Sequence, residues 1–230
     1  MNRFSFLWLL LLLPLTAFAQ DCATMYDFFQ EGVKLEYTSY NKKDKIQAVR
    51  TQEVVSISNH GDTLIASITM TAVDKKGKNP YQNTFPMKCY KGSIYMDMRS
   101  IIPPTQNRQQ TADVQISVSG TDQMFPGDMR VGQTLPDAEM EMSMELGALQ
   151  LMNSKYFVKN RKVESQESLT TSAGTYTCYK ISYDFEYKLL GTRKNHIEYW
   201  YSPKVGMVKS VTYDGKGNMD GWEELTKVER

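Results

Sequence analysis

Residues 175–187, TYTCYKISYDFEY, carry the clearest secondary-structure pattern in this chain. Its odd-numbered positions hold Thr, Tyr, Ile or Phe throughout, and the positions between them are mostly polar. Strict alternation of this kind predicts a half-buried β-strand with an aromatic face against a core and a polar face toward water. On this pattern Cys178 points to the polar side.

The same alternation recurs between glycine-containing turns, as in residues 64–72, where Leu, Ala, Ile and Met alternate with Ile, Ser and Thr. Such turn residues are typical of hairpins. The pattern predicts ten to twelve antiparallel strands joined as a meander. The predicted turns are Asn59–Asp62, Asp74–Lys78, Ser172–Gly174, Leu190–Thr192 and Asp214–Asn218.

So many consecutive strands must curl, close or split into two layers to cover their apolar faces. We expect a mainly β fold in which an antiparallel meander curls into an incomplete, partly open β-barrel; a two-sheet sandwich is the alternative. Prolines interrupt the pattern between Ile101 and Pro136. There we expect a loop or short helix over Ile101–Thr111 and a strand near Val114–Ser119.

The first 19 residues have the three parts of a secretory signal peptide. Arg3 precedes a short apolar run, and Ala17 and Ala19 stand before the predicted cut at Gln20. Asp21 is not the small residue that lipidation of Cys22 would need. We therefore expect a signal peptide over residues 1–19, a single β-rich domain over 20–230, and a location in the periplasm or outside the cell. No second apolar stretch long enough to span a membrane follows.

The charges of the chain balance once the signal peptide is removed. Arg3 is one of 27 Lys and Arg residues, so 26 remain against 26 Asp and Glu. A neutral and well-mixed surface gives no electrostatic reason to bind nucleic acid or an anionic membrane.

Three cysteines predict one disulfide and one free thiol in an exported protein. Cys89 lies on the same predicted apolar face as Phe85 and Met87, whereas Cys178 lies on a polar face. Cys22, near the N-terminus, can reach around the outside of the sheet. We expect a Cys22–Cys178 disulfide and a buried, free Cys89.

No pattern in the chain specifies a catalytic or metal site. His60 and His196 are its only histidines, and no Cys or His residues occur at paired metal-ligand spacing. His196 shares a predicted strand face with Glu198, a pair that can serve acid–base chemistry but is common on exposed sheets without any function. We expect no catalytic residues, no metal and no cofactor.

Two clusters are candidates for lining an apolar hollow. Met140, Met142 and Met144 alternate with acidic residues; thioethers bind copper(I), but methionine more often fills apolar space. The aromatic residues Tyr183, Phe185 and Tyr187 share one strand face. They form either ordinary core or the wall of a ligand cavity, since barrels of this size can hold a small ligand.

Several motifs together resemble a known family. They are DKKGK at 74–78, CYKG at 89–92 with YMDM at 95–98, VGQ at 131–133 with LPD at 135–137, KVE at 162–164, AGTYTCYKI at 173–181, and WY at 200–201 followed by GMVKS at 206–210. The chain resembles the TapB-like family of exported Bacteroidota proteins, related to domain of unknown function 3108. One departure is Ser172, where that family often has proline. The resemblance implies a curved, partly open antiparallel barrel similar to envelope lipid and lipoprotein carriers, and it brings no catalytic residues.

The sequence therefore favours an exported, non-catalytic module that binds an apolar small molecule, a lipid acyl chain or an envelope protein partner, and no nucleic acid. A structural or assembly protein with a packed core is the alternative, and a hydrolase with a site assembled from distant carboxylates or His196 is less favoured.

Overall fold

A computed structural model of the chain describes residues 22–78, 80–101, 114–147, 149–188 and 191–230. The predicted signal peptide and nearly all of the loop predicted over Ile101–Thr111 lie outside these residues, as does Leu190 of one predicted turn. Within the described ranges, no helix has the length and apolar character to cross a membrane.

The described residues form a short helix, thirteen strands and one turn of 3-10 helix. The expected ten to twelve strands were too few, because the short β5 and β7 carry too few residues to show alternation. The elements are α1 (Cys22–Met25), β1 (Lys34–Asn41), β2 (Ile46–His60), β3 (Thr63–Asp74), β4 (Tyr81–Tyr90), β5 (Ser93–Met96), the 3-10 turn (Met98–Ile101), β6 (Val114–Gly120), β7 (Gln123–Phe125), β8 (Ala138–Leu146), β9 (Leu149–Thr171), β10 (Gly174–Lys188), β11 (Thr192–Ser202), β12 (Gly206–Tyr213) and β13 (Met219–Glu229).

All thirteen strands belong to one antiparallel sheet, which confirms the predicted fold class. Their order is β6-β8-β9-β10-β11-β12-β13-β1-β2-β3-β4-β5-β7. The first and last strands are neighbours in the sheet, since Lys34 of β1 pairs with Glu229 of β13. The predicted strand near Val114–Ser119 is β6, at one edge. A single curled sheet, rather than two stacked sheets, encloses the core.

The barrel stays partly open at a seam between its edge strands. β6 and β7 are consecutive in the chain, yet no pairing joins them in the described part of the sheet. Gly120 ends β6 with a φ of +151°, and a Cβ there would overlap the Glu139 carbonyl of β8. Just beyond it, Asp122 reaches across to Lys88 of β4 at 2.9 Å.

Three hairpin turns share one hydrogen-bonding pattern that fixes their shape. In each, the side-chain oxygen of the first residue, Asn41, Asp74 or Asp214, accepts backbone N–H groups two and four residues later. Such Asx-type bonds replace backbone partners in a tight turn. Because β1, β3 and β12 run in the same direction in the sheet, all three turns lie at the same end of the barrel.

The buried positions of β10 change phase partway along the strand. Ile181 and Tyr183 are buried as predicted, but Thr175 and Thr177 are exposed while Cys178 is fully buried. The change coincides with a register shift against β9 between Lys180 and Ile181. A one-residue shift exchanges the two faces of a strand, so the predicted exposure of Cys178 was wrong.

Candidate functional site

The interior of the barrel contains a cavity of about 530 Å³. Most of its wall consists of inward-facing apolar and aromatic side chains, because alternate residues of each strand point to the inside of a barrel. These include Leu35, Tyr37, Val54, Ile68, Phe85, Met87, Tyr183, Phe185, Tyr187, Ile197, Tyr199 and Met207. The arrangement is an apolar hollow whose wall comes from both halves of the sheet.

The N-terminal segment closes one end of this cavity. Tyr26, directly after α1, donates a hydrogen bond of 2.7 Å from its hydroxyl to the Gly92 carbonyl in the β4–β5 turn. Phe28 lines the cavity floor beside Gly206. Phe28 and the neighbouring Phe29 are almost fully buried. The segment thus plugs the barrel from inside instead of wrapping around it.

A disulfide anchors this plug to the sheet. Cys22 is bonded to Cys89 of β4, with 6.1 Å between their Cα atoms, and Cys178 is the free cysteine. The expected Cys22–Cys178 pairing was therefore wrong. Cys22 approaches from the interior, where the inward-facing Cys89 is the thiol within reach. The sequence correctly places Cys89 on the buried face but does not reveal the path of the N-terminus.

The opposite end of the cavity is its mouth. Lys188, Asn195 and Thr212 line the cavity there, at the end where the β10–β11 and β12–β13 connections lie. Lys188 is exposed, and Asn195 and Thr212 are half-buried. A ligand entering from solvent would pass these polar residues before it reached the apolar wall.

An ion pair stands in the largely apolar wall of the cavity. Arg50 of β2 donates two hydrogen bonds to the Glu223 carboxylate of β13, at 3.1 Å from Nε and 2.7 Å from Nη2. The guanidinium lies 4.4 Å from the centre of the Tyr37 ring. Ser39 also donates to Glu223, at 3.0 Å. This two-point pair keeps the wall electrically neutral and offers polar atoms to a ligand's polar group.

The tyrosines of the interior are held in their neutral form. Burial raises the pKa of Tyr183, and the nearby Arg161 charge partly opposes that rise. Burial likewise raises the pKa of Tyr199 well above its usual range. Neutral phenols present hydrogen-bonding hydroxyls without adding charge to the cavity.

A β-bulge turns a second arginine into the interior. Ser182 of β10 pairs with Lys162 of β9, and Asp184 pairs with Lys159. Asn160 and Arg161 of β9, opposite Tyr183, therefore form a β-bulge without pairing partners in β10. Asn160 adopts a left-handed φ of 56° at this point. Bulges redirect side chains in this way.

Arg161 is fully buried, and no carboxylate of the described residues forms a hydrogen bond with it. Its Nη1 donates to the Pro136 carbonyl at 2.9 Å, while Nε and Nη2 have no hydrogen-bond partner among the described residues. Its Cζ lies 4.9 Å from the centre of the Phe125 ring. Burial lowers the pKa of Arg161 to about 10. Phe125 in turn lies 5.9 Å from the ring of Tyr199 in the cavity wall, so Arg161 is close to the cavity but not in its surface.

The structure places the two predicted lining clusters differently. Tyr183, Phe185 and Tyr187 are in the cavity wall, but Met140, Met142 and Met144 are not. The methionines lie on β8, which β9 separates from β10 in the sheet. Met140 is buried in the core, and Met142 and Met144 are only half-buried. Sequence alternation identified the face that the methionines share. It did not reveal that β8 lies outside the group of strands that form the cavity wall.

The two histidines lie outside the cavity. His196 Nδ1 is 3.4 Å from Asp184, and the neighbouring Glu198 pairs with Lys180 instead, at 2.6 Å. His60 ends β2 at an exposed turn. No cluster of three metal-ligating side chains occurs in the part of the chain that the structure describes. Arg50, Glu223 and Arg161, by contrast, have no distinguishing sequence pattern, since a charged residue in a strand usually faces water.

Comparisons with solved structures show the same fold. A protein of Bacteroides fragilis NCTC 9343 described as "a putative exported protein with YmcC-like fold" superimposes with a TM-score of 0.71 at 20% identity, covering 87% of this chain and 97% of that one. A "putative lipoprotein" of Parabacteroides distasonis ATCC 8503 superimposes with a TM-score of 0.71 at 18% identity, covering 89% of this chain and 98% of that one. No curated protein sequence matches this chain.

The family model described as DUF3108-like matches residues 30–225, which span the barrel from the end of the N-terminal plug to β13. This agrees with the predicted relation to domain of unknown function 3108. The chain belongs to the DUF3108-like family.

Proposed function

We propose that this protein is a non-catalytic binding protein that holds an apolar ligand, such as a lipid acyl chain, inside the barrel. The observation that carries the proposal is the cavity of about 530 Å³ with its largely apolar wall. Small-molecule sites in proteins have volumes of roughly 300–1,000 Å³ and combine apolar walls with a few polar groups. The Arg50–Glu223 pair is such a polar group.

The cavity favours this role over that of a packed structural protein. Protein interiors are close-packed and contain few voids larger than a water molecule. The side chains around a cavity of this size lack packing contacts that would stabilise the fold. A bound ligand would supply those contacts. The plug of Tyr26 and Phe28 supports the same role, because it closes the end of the cavity opposite Lys188.

The proposed place of action is the cell envelope. The predicted signal peptide over residues 1–19 supports this, and the similar solved proteins are described as exported or as a lipoprotein. N-terminal sequencing of the protein recovered from its own cells should find Gln20 first. Recovery of a chain that still begins at Met1 would contradict export by cleavage.

Two neighbouring valines provide a matched test of the cavity. Val54 of β2 is buried and lines the cavity, whereas the next residue, Val55, is 47% exposed on the outside. A tryptophan at position 54 should fill the cavity, and one at position 55 should not. We expect saturable binding of a fluorescent fatty acid by the wild type, at least about tenfold weaker binding by Val54→Trp, and unchanged binding by Val55→Trp.

Native mass spectrometry of the protein purified under mild conditions is the complementary measurement. A bound species of lipid mass, present in wild type and reduced in Val54→Trp, supports the proposal. If no fatty acid binds saturably, or if Val54→Trp folds and binds like wild type, the cavity is not a ligand site.

A further inference from the structure

The barrel rim around the cavity mouth is strongly basic. The sheet order places the β8–β9, β10–β11, β12–β13, β1–β2 and β3–β4 connections one after another around this end. In an antiparallel sheet, alternate connections lie at the same end. The rim is defined here as residues 41–46, 74–78, 145–151, 188–194 and 214–220, as far as the structure describes them.

Lysines dominate two of these turns. The β1–β2 turn carries Lys42, Lys43 and Lys45 against one acid, Asp44, and the β3–β4 turn carries Lys75, Lys76 and Lys78 against Asp74. All six lysines are exposed. None of them forms an ion pair with another described residue. Six unpaired ammonium groups in neighbouring turns produce a local positive field.

The opposite end of the barrel does not share this charge. Its plug and turns carry Asp27, Glu31 and Asp62 together with isolated bases such as Lys91 and Lys204. The balance of charge over the whole chain therefore hides an uneven distribution. The expectation of a well-mixed surface, drawn from composition, was wrong at the rim.

Exposed apolar side chains accompany the rim lysines. Eight large apolar residues of the described chain are well exposed, and five of them belong to the rim. Leu149 is 61% exposed at the tip of the β8–β9 hairpin, and Ile46 is 47% exposed directly after Lys45. The other three are Leu146, Leu151 and Met219. Basic residues interspersed with exposed apolar ones are characteristic of protein surfaces that lie on a membrane interface.

We propose that the rim docks on an anionic lipid surface. Lysines are attracted to anionic headgroups, and the exposed leucines can enter the boundary between headgroups and acyl chains. A soluble polyanion would need the lysines but would leave the leucines in water. The rim also encircles the mouth lined by Lys188, so a docked barrel opens its cavity directly onto the lipid. Docking itself does not require an occupied cavity.

Vesicle co-flotation of the purified full chain tests the proposal. The probes are vesicles of phosphatidylcholine alone and of equal parts phosphatidylcholine and phosphatidylglycerol. Binding should occur only to the anionic vesicles and should weaken as salt is added. Each lysine near an anionic surface contributes a factor of about five to partitioning. We therefore expect Lys43→Glu/Lys76→Glu to bind at least about 20-fold more weakly.

A matched variant controls for net charge. Lys91→Glu/Lys204→Glu makes the same charge change in two exposed turns at the far end of the barrel. Its affinity for anionic vesicles should be within about twofold of the wild-type affinity. An equal loss in both double variants, or no binding of wild type to anionic vesicles at low salt, overturns the proposal.

A second pair separates a lipid surface from a soluble polyanion. The double variant Leu149→Ser/Leu151→Ser has the same net charge as wild type, and we expect it to bind vesicles at least about tenfold more weakly. Val131→Ser removes a residue that is 57% exposed in the β7–β8 connection, away from the mouth, and should have no effect. If vesicle binding depends on the lysines but not on the leucines, the rim is a site for a soluble polyanion and the proposal fails. Val54→Trp should dock like wild type, so a failed cavity proposal remains distinguishable from failed docking.

Discussion

Arg50 and Glu223 lie 173 residues apart in the chain, yet they form a two-point ion pair in the cavity wall. β1 lies between their strands, β2 and β13, and brings them together. Their side chains are only 15% and 20% exposed. The pair thus joins the beginning and the end of the chain in the middle of the barrel.

Breaking this pair should destabilise the fold. Glu223→Gln leaves the Arg50 charge poorly solvated and without its counter-ion, and we expect the free energy of unfolding to fall by about 3 kcal/mol. Glu224→Gln, on the adjacent residue without an ion pair among the described side chains, should change it by less than about 0.5 kcal/mol. Urea denaturation followed by tryptophan fluorescence measures both. Equal effects of the two variants would contradict a structural role for the pair.

The Cys22–Cys89 disulfide should contribute substantially to stability. It spans 67 residues of sequence, and the loop-entropy relation assigns a bridge of that length about 4 kcal/mol. Cys22→Ser should lower the free energy of unfolding by a similar amount, whereas Cys178→Ser should leave the disulfide intact. Non-reducing peptide mapping of the wild type should join the peptides of Cys22 and Cys89. A peptide that joins Cys178 to either of them would contradict the structure.

Arg161 should be replaceable by an apolar residue with a gain in stability. Its guanidinium is buried with one hydrogen bond and no counter-ion among the described residues. Methionine of similar length removes the buried charge, and we expect Arg161→Met to raise the free energy of unfolding by about 1–2 kcal/mol. Arg50→Met is the contrasting variant and should lower it, because Glu223 loses its partner. A fall of more than about 1 kcal/mol for Arg161→Met would show that the guanidinium has a stabilising partner.

The protein should lose stability at alkaline pH. Burial raises the pKa of Tyr183, Tyr199 and Tyr201, and it raises that of Cys178 to about 12. Above pH 10, the usual tyrosine pKa, the unfolded chain releases protons that the folded chain retains, so stability falls as the pH rises. Arg161 acts in the opposite direction but is a single group.

Urea midpoints measured at about pH 8 and about pH 11 test this dependence. Above pH 10, Tyr183→Phe should make the free energy of unfolding fall less steeply, by up to about 1.4 kcal/mol per pH unit. The variant lacks the phenol proton that the folded wild type retains. An unchanged decline would mean that Tyr183 ionises normally in the folded protein.

The pattern of residues 175–187 correctly predicts a strand and its aromatic inner face over the second half. It fails over Thr175–Cys178, because a register shift against β9 exchanges the two faces. Alternation is a local property, whereas a bulge depends on the neighbouring strand. For the same reason, alternation does not predict the burial of Arg161, because the β-bulge in β9 turns its side chain inward.

Local sequence patterns alone predict the antiparallel β class, the hairpin turns at residues 59–62, 74–78, 172–174 and 214–218, and the burial of Cys89. These follow from local periodicity and turn chemistry, which each segment carries independently. Four features appear only in the folded barrel: the Cys22–Cys89 bond, the Arg50–Glu223 pair, the cavity and the group of lysines at its mouth. Each of these depends on which distant strands become neighbours when the sheet curls, and no local pattern encodes that closure.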